Sequence, residues 1–127
     1  MIPITINELR RYRRLIAERK AIMSELDGLI IKSKAFDGIG GNSNAIADTV
    51  SEIVLQRDKK RKNIEALTKR INAVEAYIQH CDGYYSVLLQ WHYINGKSWR
   101  YISAKIGGGN TEDSIKKACH RYILKNP

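Results

Sequence analysis

Apolar residues in the first quarter of the chain recur every three or four positions, which is the spacing of a helix with one buried side. The run comprises Leu9, Tyr12, Leu15/Ile16, Ile22/Met23, Leu26 and Leu29/Ile30. Thr5 and Glu8 have the spacing of a capping box, so a helix is predicted over about residues 5–34. Residues 37–43 are rich in Gly, Asp and Asn, and they predict a turn.

A second run predicts another helix, over about residues 44–81. Its apolar positions are Ile46, Val50, Ile53, Ile64, Leu67, Ile71, Val74 and Ile78. The steps are 3 or 4 throughout if Arg57 and Lys60 occupy two seam positions, which is the coiled-coil heptad. Two such helices joined by a short loop fold back antiparallel. Folding about residue 38 sets Arg19 beside Arg57, and basic segments 10–20 and 57–62 side by side.

Residues 82–127 predict three shorter helices. Tyr84, Val87, Leu88, Trp91 and Tyr93 belong to the first, which Asn95-Gly96 ends. The second opens at Lys97-Ser98, with Trp99, Ile102, Ala104 and Ile106 inward. A turn at Gly107–Asn110 leads to the last, with Ile115, Ala118, Cys119 and Tyr122 on one face. The predicted fold is all-α: a long antiparallel, coiled-coil-like helical hairpin over residues 1–81, then a helix-turn-helix domain over 82–127.

The charge of the chain indicates what kind of partner it binds. The formal net charge is +9 and the pI about 9.7, which favours a polyanion. In a helix-turn-helix the second helix enters the major groove with its N-terminal residues at the base edges. The candidate DNA-binding residues are therefore the end of the turn, the start and outward side of the second helix, and two residues of the preceding helix. The candidates are Asn110, Thr111, Ser114, Lys116, Lys117, His120, Arg121, Arg100 and Lys97. A secondary basic patch is predicted from Arg10, Arg11, Arg13, Arg14, Lys59, Lys60, Arg61 and Lys62.

Other classes of protein fit the sequence less well. No secretory leader or membrane-spanning run is recognisable, and two separated cysteines form no disulfide framework, so a cytoplasmic protein without a membrane partner is expected. The adjacent His/Cys pairs lack zinc-ligand spacing, no catalytic motif is present, and the glycine triplet lacks the rest of a phosphate loop. Neither an enzyme nor a metal or other cofactor is predicted.

From Leu88 to Leu124 the sequence resembles region four of the sigma-70 family, which binds the promoter −35 element. The motifs that carry the resemblance are Gly96-Lys97-Ser98, Ile102 to Ile106-Gly107, and Ile115-Lys116-Lys117-Ala118-Cys119-His120-Arg121. The whole layout is similar to small phage-encoded late-gene activators of the RinA/ArpU kind. The turn at Gly107–Thr111 is about two residues longer than the sigma pattern. This resemblance implies a phage transcriptional regulator that binds double-stranded DNA and acts with host RNA polymerase.

Three functions remain open at this stage. The first is the transcriptional regulator, which would form a homodimer through the hairpin. The second is a small-terminase-like DNA-packaging protein, which uses the same parts but assembles into a ring. The third is a coiled-coil adaptor that binds other proteins and whose basic surface has no DNA partner.

Overall fold

The predicted helices are all present in the computed structural model, which describes residues 4–36 and 43–127, with side chains at 4–32 and 48–127. The elements are α1 (Ile6–Phe36), α2 (Ser43–His80), α3 (Gly83–Leu89), a π-helical turn (Gln90–Ile94), α4 (Trp99–Ile106) and α5 (Glu112–Lys125). The described part of the chain is therefore all-helical, as predicted. Residues 37–42 of the predicted turn lie outside the described residues.

The start of α1 follows half of the predicted capping box. The backbone N–H of Glu8 donates to Oγ1 of Thr5 at 3.3 Å, which satisfies one donor at the helix end. The Glu8 carboxylate does not complete the box with Thr5; it accepts a bond of 2.7 Å from the guanidinium of Arg70 on α2. The side chain that was predicted to cap the helix therefore helps to join α1 to α2.

The chain divides into two compact units. Unit 1 comprises Met1–Leu15 and Arg70–Pro127, and unit 2 comprises Ile16–Lys69. The boundary predicted at residues 81 and 82 follows the motifs. The boundary between the compact units lies elsewhere. Unit 1 includes the N-terminal part of α1 and the C-terminal part of α2 together with α3, α4 and α5.

Unit 2 contains the middle of the hairpin, where α1 and α2 run antiparallel. Arg19 donates to Oγ1 of Thr68 at 3.3 Å, and Lys60 pairs with Glu25 at 2.6 Å. The predicted contact of Arg19 with Arg57 is wrong, since Thr68 lies 11 residues beyond Arg57. Apolar seam residues recur every three or four positions, so sliding one helix along the other preserves their contacts, and the seam alone does not select the register.

The predicted seam of α2 is present in unit 2. Ile53 is buried, and Arg57 and Lys60 are both half-buried. The two cations thus occupy the seam positions that the heptad pattern required of them. Among the described side chains of unit 2, Ile53 and Leu67 are the buried hydrophobic ones, so this part of the hairpin has a thin core.

Unit 1 has a much larger core, contributed by every helix that enters it. Its buried hydrophobic residues are Ile4, Leu9, Tyr12, Leu15, Ile71, Val74, Ile78, Leu88, Leu89, Tyr93, Trp99, Ile102, Ile115, Cys119 and Ile123. Tyr12 also donates a 2.6 Å bond to the Glu75 carboxylate between α1 and α2. The Tyr122 ring of α5 stacks on Tyr85 of α3 at 4.2 Å. The Tyr85–Tyr122 stack, together with the burial of Ile115, Cys119 and Ile123, anchors α5 on its inner side.

Candidate nucleic-acid interface

The turn between α4 and α5 requires glycine. Gly107, Gly108 and Gly109 have φ of 65°, 65° and 81°, a region that strains residues with a side chain. The carbonyl oxygen of Gly107 accepts both the backbone N–H of Asn110 at 3.3 Å and its side-chain amide at 2.8 Å. The triplet therefore reverses the chain and delivers it to the start of α5.

The start of α5 is a reciprocal cap. Oγ1 of Thr111 accepts from the backbone N–H of Ser114 at 3.1 Å, and Oγ of Ser114 accepts from the N–H of Thr111 at 3.0 Å. The Ser114 hydroxyl also donates to the Thr111 carbonyl oxygen at 2.9 Å. Asn110, Thr111 and Ser114 are exposed, but their polar groups already hold the turn and the cap.

The two sides of α5 differ in chemistry. Ile115, Cys119 and Ile123 are buried in unit 1, whereas Lys116, Lys117 and Arg121 are exposed. Four residues of α5 were predicted to share its inward face. Of these, Ile115 and Cys119 are buried, and Ala118 and Tyr122 are half-buried. The cations of α5 consequently face solvent along the helix, beginning one turn after its N-terminus.

One of these cations has an acidic neighbour. The Lys117 ammonium lies 2.9 Å from the Asp113 carboxylate, one turn earlier on α5. The hydrogen bond and charge of Lys117, with a smaller effect of Lys116, lower the pKa of the Asp113 carboxyl. Both side chains are exposed, so water and salt screen the pair and a polyanion can displace it. Asp113 also suits a helix N-terminus, where negative charge is favourable.

His120 differs from its neighbours on α5, because it is only partly exposed and belongs to a ring cluster. His92, in the π-helical turn, stacks on Trp99 at 3.8 Å between ring centroids, and His120 meets Trp99 edge-on at 6.2 Å. Nδ1 of His92 lies 2.8 Å from the carbonyl oxygen of Lys97. The cluster joins the π-helical turn, α4 and α5 directly behind the cationic side of α5.

The surroundings of the ring cluster disfavour the charged form of its two histidines. Burial lowers the pKa of His92, and the positive charges of His120, Lys116 and Arg10 lower it further, against a raising effect of the bond to Lys97. Burial has the largest effect on His120 and lowers its pKa. The positive charges of Arg10 and, to a smaller extent, Lys116 lower this pKa further. The sequence pointed to His120 as a donor but gave no sign of His92, whose role depends on the fold.

The positive charge of Arg10 on α1 lowers the pKa of both His92 and His120, and all three residues belong to unit 1. Arg13, one turn later, packs against Gly96 in the loop before α4: a Cβ placed at Gly96 would lie 2.6 Å from Cζ of Arg13. Arg10 and Arg13 are both exposed. The N-terminal helix therefore contributes two exposed cations to unit 1, one of them beside the loop before α4.

The remaining predicted cations are distributed over both units. Arg11 and Arg14 are exposed on α1 in unit 1, whereas Lys59, Lys60, Arg61 and Lys62 belong to unit 2. The predicted side-by-side placement of segments 10–20 and 57–62 is wrong in its register, because Lys60 pairs with Glu25. Lys59, Arg61 and Lys62 are exposed, and Lys60 is half-buried.

The first helix of the pair, α4, also presents cations. Arg100 and Lys97 are exposed, and the Lys97 ammonium lies 5.0 Å from the centroid of the Tyr101 ring. Lys105, which was not among the predicted residues, lies 5.6 Å from the same centroid. The helix begins at Ser98, whose hydroxyl accepts from the N–H of Tyr101 at 3.1 Å.

Comparisons of the chain with protein-family models, with curated proteins and with solved structures returned no match. Within residues 4–36 and 43–127, no His, Cys, Asp and Glu side chains cluster as a metal site would need. None of the helices described is both long and apolar enough to cross a membrane. The exposed side chains described above on α4 and α5 of unit 1 are mainly cations that donate hydrogen bonds.

Proposed function

We propose that this protein is a sequence-specific double-stranded DNA-binding transcriptional regulator that inserts α5 into the major groove. The observation that carries the proposal is the two-sided character of α5. Its apolar side is buried in unit 1, and its opposite side presents Lys116, Lys117 and Arg121 to solvent. A helix of this kind, after a short turn and a preceding helix, has the arrangement that helix-turn-helix proteins use on DNA.

Base readout in this proposal falls to Lys116 and Lys117. Both lie near the N-terminus of α5, where side chains reach base edges, and lysine donates well to O6 and N7 of guanine. Thr111 and Ser114 act mainly through the cap, which sets the direction of the helix. Arg121 lies further along α5, and it binds phosphate at the edge of the groove.

Phosphate binding extends to both sides of α5. Lys97 and Arg100 are exposed at the start of α4, and Arg10 and Arg13 are exposed on α1 of the same unit. Contacts of cations with phosphate release counterions and are independent of base sequence. These four side chains therefore supply affinity and orientation, while the two lysines of α5 supply specificity.

The resemblance to phage late-gene activators supplies the setting of the proposal. It implies a phage or prophage origin, a cytoplasmic location and a contact with host RNA polymerase. The helical hairpin is the part available for dimerisation. The protein acts by binding and performs no catalysis.

The test starts from a duplex selected out of a random pool by the full-length protein. Fluorescence anisotropy then compares this duplex with a scrambled one, using Lys116→Gln, Lys117→Gln and the control Lys125→Gln at the far end of α5. Loss of a base contact is expected to weaken selected-site binding about 5- to 100-fold and scrambled-site binding much less. The control is expected to change both Kd values about equally and by less.

Arg10→Gln provides the complementary measurement. It should weaken binding to both duplexes alike and reduce the slope of log K against log salt by about 0.9, the value for one released phosphate contact. Equal losses on the two duplexes for Lys116→Gln and Lys117→Gln would contradict the assignment of base readout to α5. Absence of duplex binding at low salt would contradict the proposed function and favour the protein-binding adaptor.

A further inference from the structure

The outward side of α2 in unit 2 carries a stripe of five residues with an ordered sequence of charge. The outer stripe consists of Asp48, Glu52, Leu55, Lys59 and Lys62, spaced by 4, 3, 4 and 3 residues. All five are exposed, and the Leu55 side chain in the middle is 63% exposed. Two acids thus precede a solvent-facing leucine, and two lysines follow it.

The outer stripe faces away from α1. The seam of α2 contains Val50, Ile53, Arg57 and Lys60, each two positions before a member of the stripe. Two residues along an α-helix turn the side-chain direction by about 200°. The Lys60–Glu25 pair confirms that the seam side meets α1. The stripe therefore repeats the heptad spacing of a packing surface, on a side of α2 that the described residues of unit 2 leave exposed.

The order of charges makes the stripe complementary to itself. Asp48 and Lys62 lie seven residues on either side of Leu55, and Glu52 and Lys59 lie three and four residues from it. When two copies run antiparallel about Leu55, each acid faces a lysine and the two leucines meet at the centre. A parallel arrangement would set acid against acid and lysine against lysine.

We propose that a second copy of this chain binds the outer stripe of α2, antiparallel and with Leu55 on the two-fold axis. The inference rests on the hairpin dimerisation included in the proposed function and names its surface, and it is tested without DNA. A duplex does not fit the whole stripe, because its phosphates would meet Asp48 and Glu52.

The first experiment measures the mass of the full-length chain by sedimentation equilibrium from about 1 to 100 µM, a range suited to weak self-association. We expect a monomer–dimer equilibrium. Leu55→Glu should raise the dimer Kd at least about tenfold, because both copies lose an apolar contact and gain a charge. The matched control is Leu124→Glu on α5, at a leucine that is 73% exposed and lies outside the stripe. It should leave the dimer Kd within about twofold.

Charge exchange tests the direction of pairing. Glu52→Lys alone and Lys59→Glu alone should each raise the dimer Kd about threefold or more, since the change occurs twice in a two-fold dimer. The double variant Glu52→Lys/Lys59→Glu should restore the wild-type Kd within about twofold. Because both positions are exposed, circular dichroism of the variants should match that of the wild type.

Three results would overturn the proposal. One is a wild-type chain that stays monomeric at 100 µM, the top of the range. Another is a dimer Kd that is the same for Leu55→Glu as for Leu124→Glu, or a double charge variant whose dimer Kd does not return to the wild-type value. The third is a ring of many subunits, since a two-fold contact closes at two copies. Each result leaves the DNA-binding measurements of the proposed function to be judged independently.

Discussion

Replacing Gly96 with alanine perturbs the backbone and one cation of the proposed DNA surface at the same time. Gly96 has φ of 72°, where an L-residue costs about 1–2 kcal/mol. The new Cβ would also lie 2.6 Å from Cζ and 3.1 Å from Nε of Arg13. Arg13 is exposed and flexible, so its guanidinium can move aside at little cost. The free energy of unfolding should therefore fall by about 1–2 kcal/mol, mostly from the backbone.

Urea unfolding followed by circular dichroism measures this loss, and Gly28→Ala is the matched control. Gly28 lies inside α1 with nothing within 4 Å of an added Cβ, so alanine there should stabilise the helix by about 0.5–1 kcal/mol. The same substitution thus has opposite signs at the two positions. Equal effects at Gly96 and Gly28, or a Gly96→Ala variant as stable as the wild type, would show that the positive φ at Gly96 does not make alanine unfavourable there.

A double-mutant cycle separates the two consequences at Gly96. Gly96→Ala should weaken duplex binding about as much as Arg13→Ala does, because it displaces the guanidinium that Arg13→Ala removes. In the Arg13→Ala background, Gly96→Ala should therefore cause little further loss of binding while still lowering the free energy of unfolding. Additive losses of binding would show that Gly96 acts on DNA binding by another route.

Two further predictions concern the core and the ring cluster. Ile102→Ala, at a fully buried site, should destabilise unit 1 by about 2–5 kcal/mol in urea unfolding, whereas Ile31→Ala, at a site 69% exposed, should change stability by about 0.5 kcal/mol or less. The pKa values of His92 and His120 are lowered by folding, so the unfolded chain binds protons more readily. The free energy of unfolding should therefore be constant above a pH of about 6.5 and fall as the pH drops toward about 5. The fall should be smaller in His92→Phe, which lacks one of the two histidines. A free energy of unfolding that does not change over this range would contradict the contribution of the ring cluster to stability.

The periodicity of the sequence was enough to predict the helices. Helical spacing and turn residues are local properties, so α1 and α2 begin and end within about two residues of their predicted bounds. The occupancy of the seam by Arg57 and Lys60 was also predictable, because an unbroken heptad leaves them no other place. The division of α5 into a buried side and a cationic side follows from the same periodicity.

The tertiary structure decided which distant residues act together. The register of the hairpin depends on pairs such as Lys60 with Glu25, which a repeating seam does not specify. The placement of Arg13 beside Gly96 joins α1 to the loop before α4, far along the chain. The stacking of His92 on Trp99 joins the π-helical turn to α4. Local patterns determine how each helix forms, whereas the candidate site results from packing between helices, whose partners are chosen by shape and charge across the fold.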